Sequence, residues 1–567
     1  MSRLLFQALL LLLTIVMPGL ATAQSPGSAS PVATGGGGGP RFVFGPSPWR
    51  FSVAPGFFAP SASQLNETVD QWLPALPDGG WVVFANFALS TGSAASSPVA
   101  RERNPGNANV IDWAVAFERP GGGGGVTPLS FFDGGSSATM PDGGFAMLWV
   151  PPGAEPRWLR YSITTPSGGR RPQGGNPSPA GLALTNFYEV RRWKAANASA
   201  ERNGGAISGT AIYASNGVIG PVQLLVPFKG QASVLLLADS IGQQADDPLY
   251  LASPRNVVGG IARGLDEADG GRIGIGNFTS HGASMIDFMR LDPGYFAARH
   301  AILRFARDRL NGGRMWPMTA IWSELGRNDL APGALGLTGT EGDEVTFAAM
   351  EDRYRAWWNW LTAHFPGVPI LQSTITPKSN SSDQWTSLEG QSPREATPTI
   401  LDRVDGWLKT QPARLVQVVD VAAPVRAAPD GSAMPKWAIP PYSASGGGTL
   451  SAAITTSTSA TNGGAVITGS VAPQIGENLV IEPGTTNAEA ITVRAVSANG
   501  DGTWTARGLG NSLGQPLNFA RAHPAGAVVR SAYTSDGVHP ATAMHLLMAE
   551  TVKVAKRGPL SAVQSTP

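Results

Sequence analysis

The run Ser233–Leu237 (Ser-Val-Leu-Leu-Leu) restricts the fold more than any other segment, because it lacks the alternation of a strand with one wet face. A run of this length and polarity marks a strand covered on both faces, which requires helices packed on both sides of a parallel sheet. The residues that follow supply both kinds of element. Arg272–Phe278, Met318–Leu325, Val368–Ile375 and Leu415–Val421 read as further strands. Tyr295–Leu310, Asp343–Phe365 and Thr399–Thr410 read as helices. The first carries Phe296, Ile302, Leu303, Phe305 and Ala306 near helical spacing, and the second Phe347, Met350, Tyr354, Trp357, Trp358 and Leu361. Strands alternating with helices predict an α/β domain with helices on both faces of the sheet.

A chain of 567 residues exceeds what one hydrophobic core usually supports, so further domains are expected. Residues 41–228 carry short β-like runs, such as Gly80–Leu89, Val110–Phe117 and Gly144–Val150, separated by Gly/Pro clusters. This texture predicts a β-rich N-terminal domain of sandwich or jelly-roll type. One short helix is expected there, near Ser63–Leu73. The region's tryptophans (Trp49, Trp72, Trp81, Trp113, Trp149, Trp158 and Trp193) either fill its core or form a carbohydrate-stacking face. The ease with which large aromatics bury favours the core. After Tyr442 the α/β rhythm breaks, and residues 443–527, with strand candidates at Leu479–Glu482, Ala490–Val496 and Thr503–Ala506, read as an inserted β module. The α/β pattern is expected to return at Val528, with a last helix from His539 or Pro540 to Lys556. The α/β domain is then 231–442 plus 528–557, followed by a tail, 558–567.

The N-terminus carries an export pattern: Arg3, the apolar stretch Leu4–Val16, and the small residues Ala21-Thr22-Ala23. The stretch is short for a membrane span of about 20 residues. Residues 1–23 are therefore expected to be a cleaved signal, 24–40 a flexible linker, and the product secreted or periplasmic, with no transmembrane anchor. The chain contains no cysteine, which excludes disulfides, thiol catalysis and thiolate metal sites. Its six histidines show no ligand pair of the HExxH kind, so neither a metal nor a cofactor is expected. A net charge of +1 with scattered arginines gives no footprint for nucleic acid or an anionic membrane.

Four segments fall where open α/β sheets place their ligands, at strand ends or just before the last helix. Ala238-Asp239-Ser240-Ile241-Gly242 follows the buried run, and a serine at a strand-to-helix turn can present its hydroxyl to a cleft; alone, it reads more readily as a plain N-cap. Asn277-Phe278-Thr279-Ser280-His281-Gly282-Ala283-Ser284 offers a glycine N–H for close approach. Glu324-Leu325-Gly326-Arg327-Asn328-Asp329 offers an amide, or an Asx turn. Asp536-Gly537-Val538-His539-Pro540 places a carboxylate where it can orient an imidazole, although a turn ahead of a helix with Pro near its start accounts for the same letters.

In this order the segments resemble the signature blocks of the SGNH (GDSL-type) hydrolase family. Ala238-Asp239-Ser240 is similar to its Gly-Asp-Ser block, Gly282 to the glycine of its second block, Gly326-Arg327-Asn328-Asp329 to Gly-x-Asn-Asp, and Asp536-Gly537-Val538-His539 to Asp-x-x-His. The resemblance implies a flavodoxin-like three-layer fold and an ester hydrolase with Ser240 as nucleophile and His539 and Asp536 as its partners. It also implies an oxyanion hole from Ser240, Gly282 and Asn328, with Asp239, His281 and Arg327 as possible pocket residues. Two positions depart from the pattern: Ala238 replaces the usual Gly, and His281 stands where a smaller residue is commoner. The expected substrate is an ester, such as an O-acetylated extracellular glycan or a simple lipid or aryl ester. Acyl transfer to a sugar hydroxyl, or surface binding without catalysis, are the competing outcomes.

Overall fold

The computed structural model describes residues 39–47, 49, 57–60, 66–89, 102–117, 126–172, 190–194, 211–213, 220–243, 247, 257–268, 271–292, 295–330, 346–393, 398–428, 435–508, 518–558 and 560. The expected signal segment, most of the linker and most of the tail lie outside them. Among the described residues no helix is long and apolar enough to cross a membrane.

Five strands form the central sheet, in the order Gly274–Asn277, Ser233–Ala238, Ala320–Glu324, Ile370–Ser373, Leu415–Val419. All four pairings are parallel. The first strand in sequence therefore lies between the second and the third, as in a flavodoxin-like α/β core. The Ser233–Ala238 strand is buried on both faces because its side chains divide between two layers. Val234, Leu236 and Ala238 pack with Ile261, Leu265, Met544, Met548 and Val552 on one side. Leu235 and Leu237 pack with Ile302, Leu303, Trp357 and Leu361 on the other. Each such buried leucine contributes about 1.5–3 kcal/mol of transfer free energy.

Helix Gly260–Asp266 seats the last helix, Thr542–Lys556. A Cβ on Gly264 would come within 2.5 Å of the Val552 Cβ, so only glycine permits this approach. The helix Ala297–Phe305 continues as a single π-helical segment, Ala306–Leu310.

Ahead of this core stand two antiparallel sheets. One runs Phe42–Phe44, Pro221–Pro227, Gly80–Ala85, Phe145–Val150, Ser130–Phe131; the other is seven-stranded and includes Asn66–Leu73, Asn109–Phe117 and Arg157–Thr164. Val82, Phe84, Leu148 and Leu224 of the first share a cluster with Val69, Ile111, Leu159, Tyr161 and Ile163 of the second. The opposite face of the first sheet, with Trp81, Val83, Met147 and Leu225, packs into the same cluster as Phe278, Phe296 and Trp357. Polar contacts seal this join. Glu102 accepts from the backbone N–H groups of Ala298 (2.7 Å) and Arg299 (3.0 Å) and pairs with the Arg299 guanidinium (2.9 Å).

Trp49, Trp81 and Trp158 are buried and Trp149 is half-buried, while the side chains of Trp72, Trp113 and Trp193 lie outside what is described. Asn66–Leu73 is a strand, not the short helix expected near Ser63–Leu73. It is hydrogen-bonded on both sides, to Arg157–Thr164 and Val190–Lys194. Its two acids are neutralised from other strands, Glu67 by Arg171 and Asp70 by Arg160.

Residues 448–532 build a six-stranded antiparallel sheet in the order Gly448–Thr449, Val528–Ala532, Asn478–Ile481, Glu489–Ala498, Trp504–Gly508, Ala465–Ile467. The α/β pattern does not return at Val528 as expected. Val528–Ala532 is the second strand of this module, hydrogen-bonded to Asn478–Ile481 and Gly448–Thr449. Val529 and Ser531 are buried while Val528 is exposed and Arg530 half-buried, the alternation of a strand with one wet face.

Candidate active site

Ser240 opens a short helix, Ser240–Gln243, at the carboxyl end of the Ser233–Ala238 strand. The turn is held by Asp239, whose Oδ1 accepts from the Ile241 N–H at 2.8 Å. N–H groups in a first helical turn are not consumed by the helix's own ladder, which leaves the Ser240 N–H as a candidate donor. The chain reverses sheet order between the strands that precede Ser240 and Asn328, the place where open α/β sheets form a crevice.

The Asp536–His539 loop reaches this point from 299 residues away. His539 Nε2 lies 2.9 Å from Ser240 Oγ, and His539 Nδ1 lies 2.6 Å from Asp536 Oδ2. The loop is shaped from within, since Asp536 Oδ1 accepts from both Val538 N–H and His539 N–H at 2.8 Å. Burial pushes the Asp536 carboxyl up, but the hydrogen bond and charge of His539, with those two N–H groups, outweigh it and hold the pKa at about 2. Asp536 is therefore an anion at any working pH, which fixes a proton on Nδ1 and leaves Nε2 able to accept from the serine. The side chains of His539 and Asp536 are 24% and 44% exposed, so the triad-like array lies at an open surface.

The other segments converge on the same point. Asn328 Nδ2 donates to the Ala283 carbonyl at 2.9 Å and to Asp239 Oδ2 at 3.2 Å, which ties three of the four segments together. Gly282 has φ 71°, and a Cβ there would meet nothing within 4 Å, so its backbone faces open space. The His281 ring lies nearly parallel to that of His539, at 6.3 Å between centroids and 22° between planes. Of the three possible pocket residues only His281 keeps partial exposure. Asp239 and Arg327 are buried; the latter donates from Nη2 to the Pro377 carbonyl at 3.1 Å and acts as a fixed charge beneath the site rather than a wall of it.

Sequence reasoning named Asp239 as a possible pocket residue but missed that Glu324 and Asp329 form with it a layer of buried acids under Ser240. Glu324 ends the strand next to that of Ser240, in register with Ala238, and accepts from the Gly242 N–H at 3.2 Å. Burial, then the neighbouring Asp239 charge, push the Glu324 carboxyl well above the usual range. Asp239 is pushed up to about 6 by burial, against the pull of the Ile241 N–H, His539 and Arg327. Burial raises Asp329 to about 7 despite Arg353 beside it. The one available signal was positional, an acid at the same level of two adjacent strands. Among the described residues no group of acids and histidines is arranged to hold a metal ion.

No family model matches the chain, and no curated protein does. Solved structures give a distant resemblance to esterase and lipase folds. A family two carbohydrate esterase from Cellvibrio japonicus is 11% identical over 64% of this chain and 88% of its own, with a TM-score of 0.23. The corresponding enzyme from Clostridium thermocellum, in complex with cellohexaose, is 11% identical over 66% and 87%, with a TM-score of 0.21. A gut microbial diltiazem-metabolizing enzyme is 15% identical over 35% of this chain and 38% of its own, with a TM-score of 0.23. Overlaps this slight carry no argument about chemistry, which rests on the side chains.

Proposed function

We propose that the chain is an exported serine esterase of SGNH type that works through an acyl-enzyme. The observation that carries this reading is the unbroken series Asp536–His539–Ser240, with contacts of 2.6 Å and 2.9 Å, at the crevice of a parallel sheet. In the proposed reaction Ser240 Oγ attacks the ester carbonyl carbon as His539 Nε2 takes its proton. The tetrahedral oxyanion is met by the N–H groups of Ser240 and Gly282 and the Asn328 amide. His539 then protonates the departing alcohol, and water, activated by the same imidazole, releases the acid.

The open setting of His539 and Asp536 favours a short acyl group carried on a bulky molecule over a long chain needing a deep tunnel. With the export pattern and two β-rich regions, this points to an O-acetylated extracellular polysaccharide as the substrate class. In this proposal residues 41–228 form a sandwich-like accessory domain, and the antiparallel module that ends with the strand Val528–Ala532 is an insertion in the hydrolase domain.

The test is labelling with a fluorophosphonate probe together with p-nitrophenyl acetate hydrolysis, for wild type and Ser240→Ala. Wild type should label and turn over, and Ser240→Ala should do neither while melting at nearly the same temperature. A variant that keeps its turnover removes Ser240 as nucleophile. Wild type that never labels favours a binding protein, and acetyl transfer to an added glycan in excess of acetate release favours a transferase.

A further inference from the structure

The residue between the acid and the base, Gly537, is gripped from outside its own loop. Its carbonyl accepts from the Ser379 N–H at 3.0 Å and from Trp437 Nε1 at 2.9 Å. Its N–H is held by Thr534 Oγ1 at 2.9 Å, and the same hydroxyl donates to the His539 carbonyl at 2.8 Å. Gly537 has φ 74°, and a Cβ there would lie 1.9 Å from the Ser379 carbonyl oxygen and 2.6 Å from the Trp385 ring. Trp385 is thus packed flush against the backbone between Asp536 and His539, and its Nε1 donates to Ser379 Oγ at 3.0 Å.

Trp385 is not placed by ordinary turn chemistry. It and its neighbour Gln384 are both left-handed, at φ 58° and 56°, although neither is glycine. Two consecutive residues in this conformation cost stability and persist only where the surroundings over-determine them, a pattern associated with functional sites. Two anchors are visible. Ser381 Oγ accepts from the Trp385 N–H at 2.7 Å. Gln384 Oε1 accepts from the Gly484 N–H at 2.7 Å, and Gly484 belongs to the antiparallel module. The module also meets the chain on both sides of the loop. Its strand Val528–Ala532 ends just before Thr534, and its Gly476 carbonyl accepts from Ala543 N–H, at the start of the last helix, at 3.2 Å.

We infer that Trp385 is a positioning residue for His539, held in place by the antiparallel module through Gln384, so that the module governs turnover and not only substrate capture. The inference rests on the triad reading above. Without the indole face, Gly537 can shift toward the vacated space, and His539 moves with it relative to Ser240. Because Trp385 acts through the Gly537 backbone, the loss is expected to fall on kcat.

The experiment uses the full chain and p-nitrophenyl acetate, with melting temperature recorded for every variant. Trp385→Ala should lower kcat on the order of 10- to 100-fold with KM moving less than about threefold, since displacements near 1 Å cost that much. Fluorophosphonate labelling of Ser240 should slow in parallel, a readout that loss of stability alone does not move in folded protein. Trp385→Phe keeps a ring on Gly537 and should recover to within about threefold of wild type. Gln384→Ala should fall in the same direction by less, and add little to Trp385→Ala, because both act through one contact. Folded Trp385→Ala with wild-type kcat overturns the inference. If that variant does not fold, Gln384→Ala decides, and unchanged kcat there overturns it. Ser240→Ala measured alongside separates the two readings: activity retained there sinks the triad itself, whereas inactive Ser240→Ala beside fully active Trp385→Ala sinks only the positioning role.

Discussion

Asn328 donates its side-chain amide to Asp239 Oδ2 across 3.2 Å, a longer bond than the 2.9 Å one it makes to the Ala283 carbonyl. The short bond fixes the amide plane, and the long one is the contact that yields when a better acceptor forms. In the proposed reaction a developing oxyanion beside Ser240 is such an acceptor, and the interaction would strengthen in the transition state and not before. Asn328→Ala should therefore lower kcat by about 10²–10³ with little change in KM, the usual cost of one oxyanion donor. Steady-state kinetics on p-nitrophenyl acetate check this, and a loss confined to KM would assign Asn328 to substrate binding.

Asp536 does two jobs that one substitution separates. Asp536→Asn keeps an acceptor for the N–H groups of Val538 and His539, so the loop should hold its shape. It puts an amide N–H opposite His539 Nδ1, where a carboxylate had accepted, and this forces the proton onto Nε2, the atom that must accept from Ser240. The expected fall in kcat is about 10³–10⁴. Because the wild-type carboxyl titrates at about 2, Asp536 adds no limb to the activity profile between pH 4 and 9. An Asp536→Asn variant matching wild type across that range, with Glu324 or Asp329 proving essential instead, would overturn the assignment of the acid.

The parallel sheet was legible because its evidence is local. Ser233–Leu237 is apolar throughout, and Phe347–His364 carries its own stripe, so each element announces itself within a few residues. Asn66–Leu73 does not, since Glu67 and Asp70 are tolerable in a buried strand only through Arg171 and Arg160, about 100 residues onward. The same holds at the candidate site. The spacing of Asp536 and His539 is readable, and their residue types suggest a pair. What holds that pair against Ser240 is a set of long-range contacts, Trp437 and Ser379 on Gly537, whose letters have no special pattern. Val528–Ala532 joins the antiparallel module for a related reason: a strand's partners, not its composition, decide which sheet it joins.

Glu477 offers a test of the fold free of the chemistry. It lies wholly buried in the antiparallel module, and burial pushes its carboxyl up from 4.5 to about 7, against bonds from Gln474 and Ser531. A carboxyl whose folded pKa is raised binds more protons folded than unfolded between those two values. Stability from this group is therefore greatest below about pH 4.5 and falls as pH rises through 7, by on the order of 3 kcal/mol in total. Glu477→Gln keeps the shape and cannot ionise. It should melt within a degree or two of wild type near pH 4.5 and clearly above it at pH 8, because only there does wild type carry a buried charge. Melting curves of both proteins at the two pH values measure the difference directly. A variant that is less stable than wild type at pH 8 would mean that Glu477 is held as a charged group by partners strong enough to offset its burial.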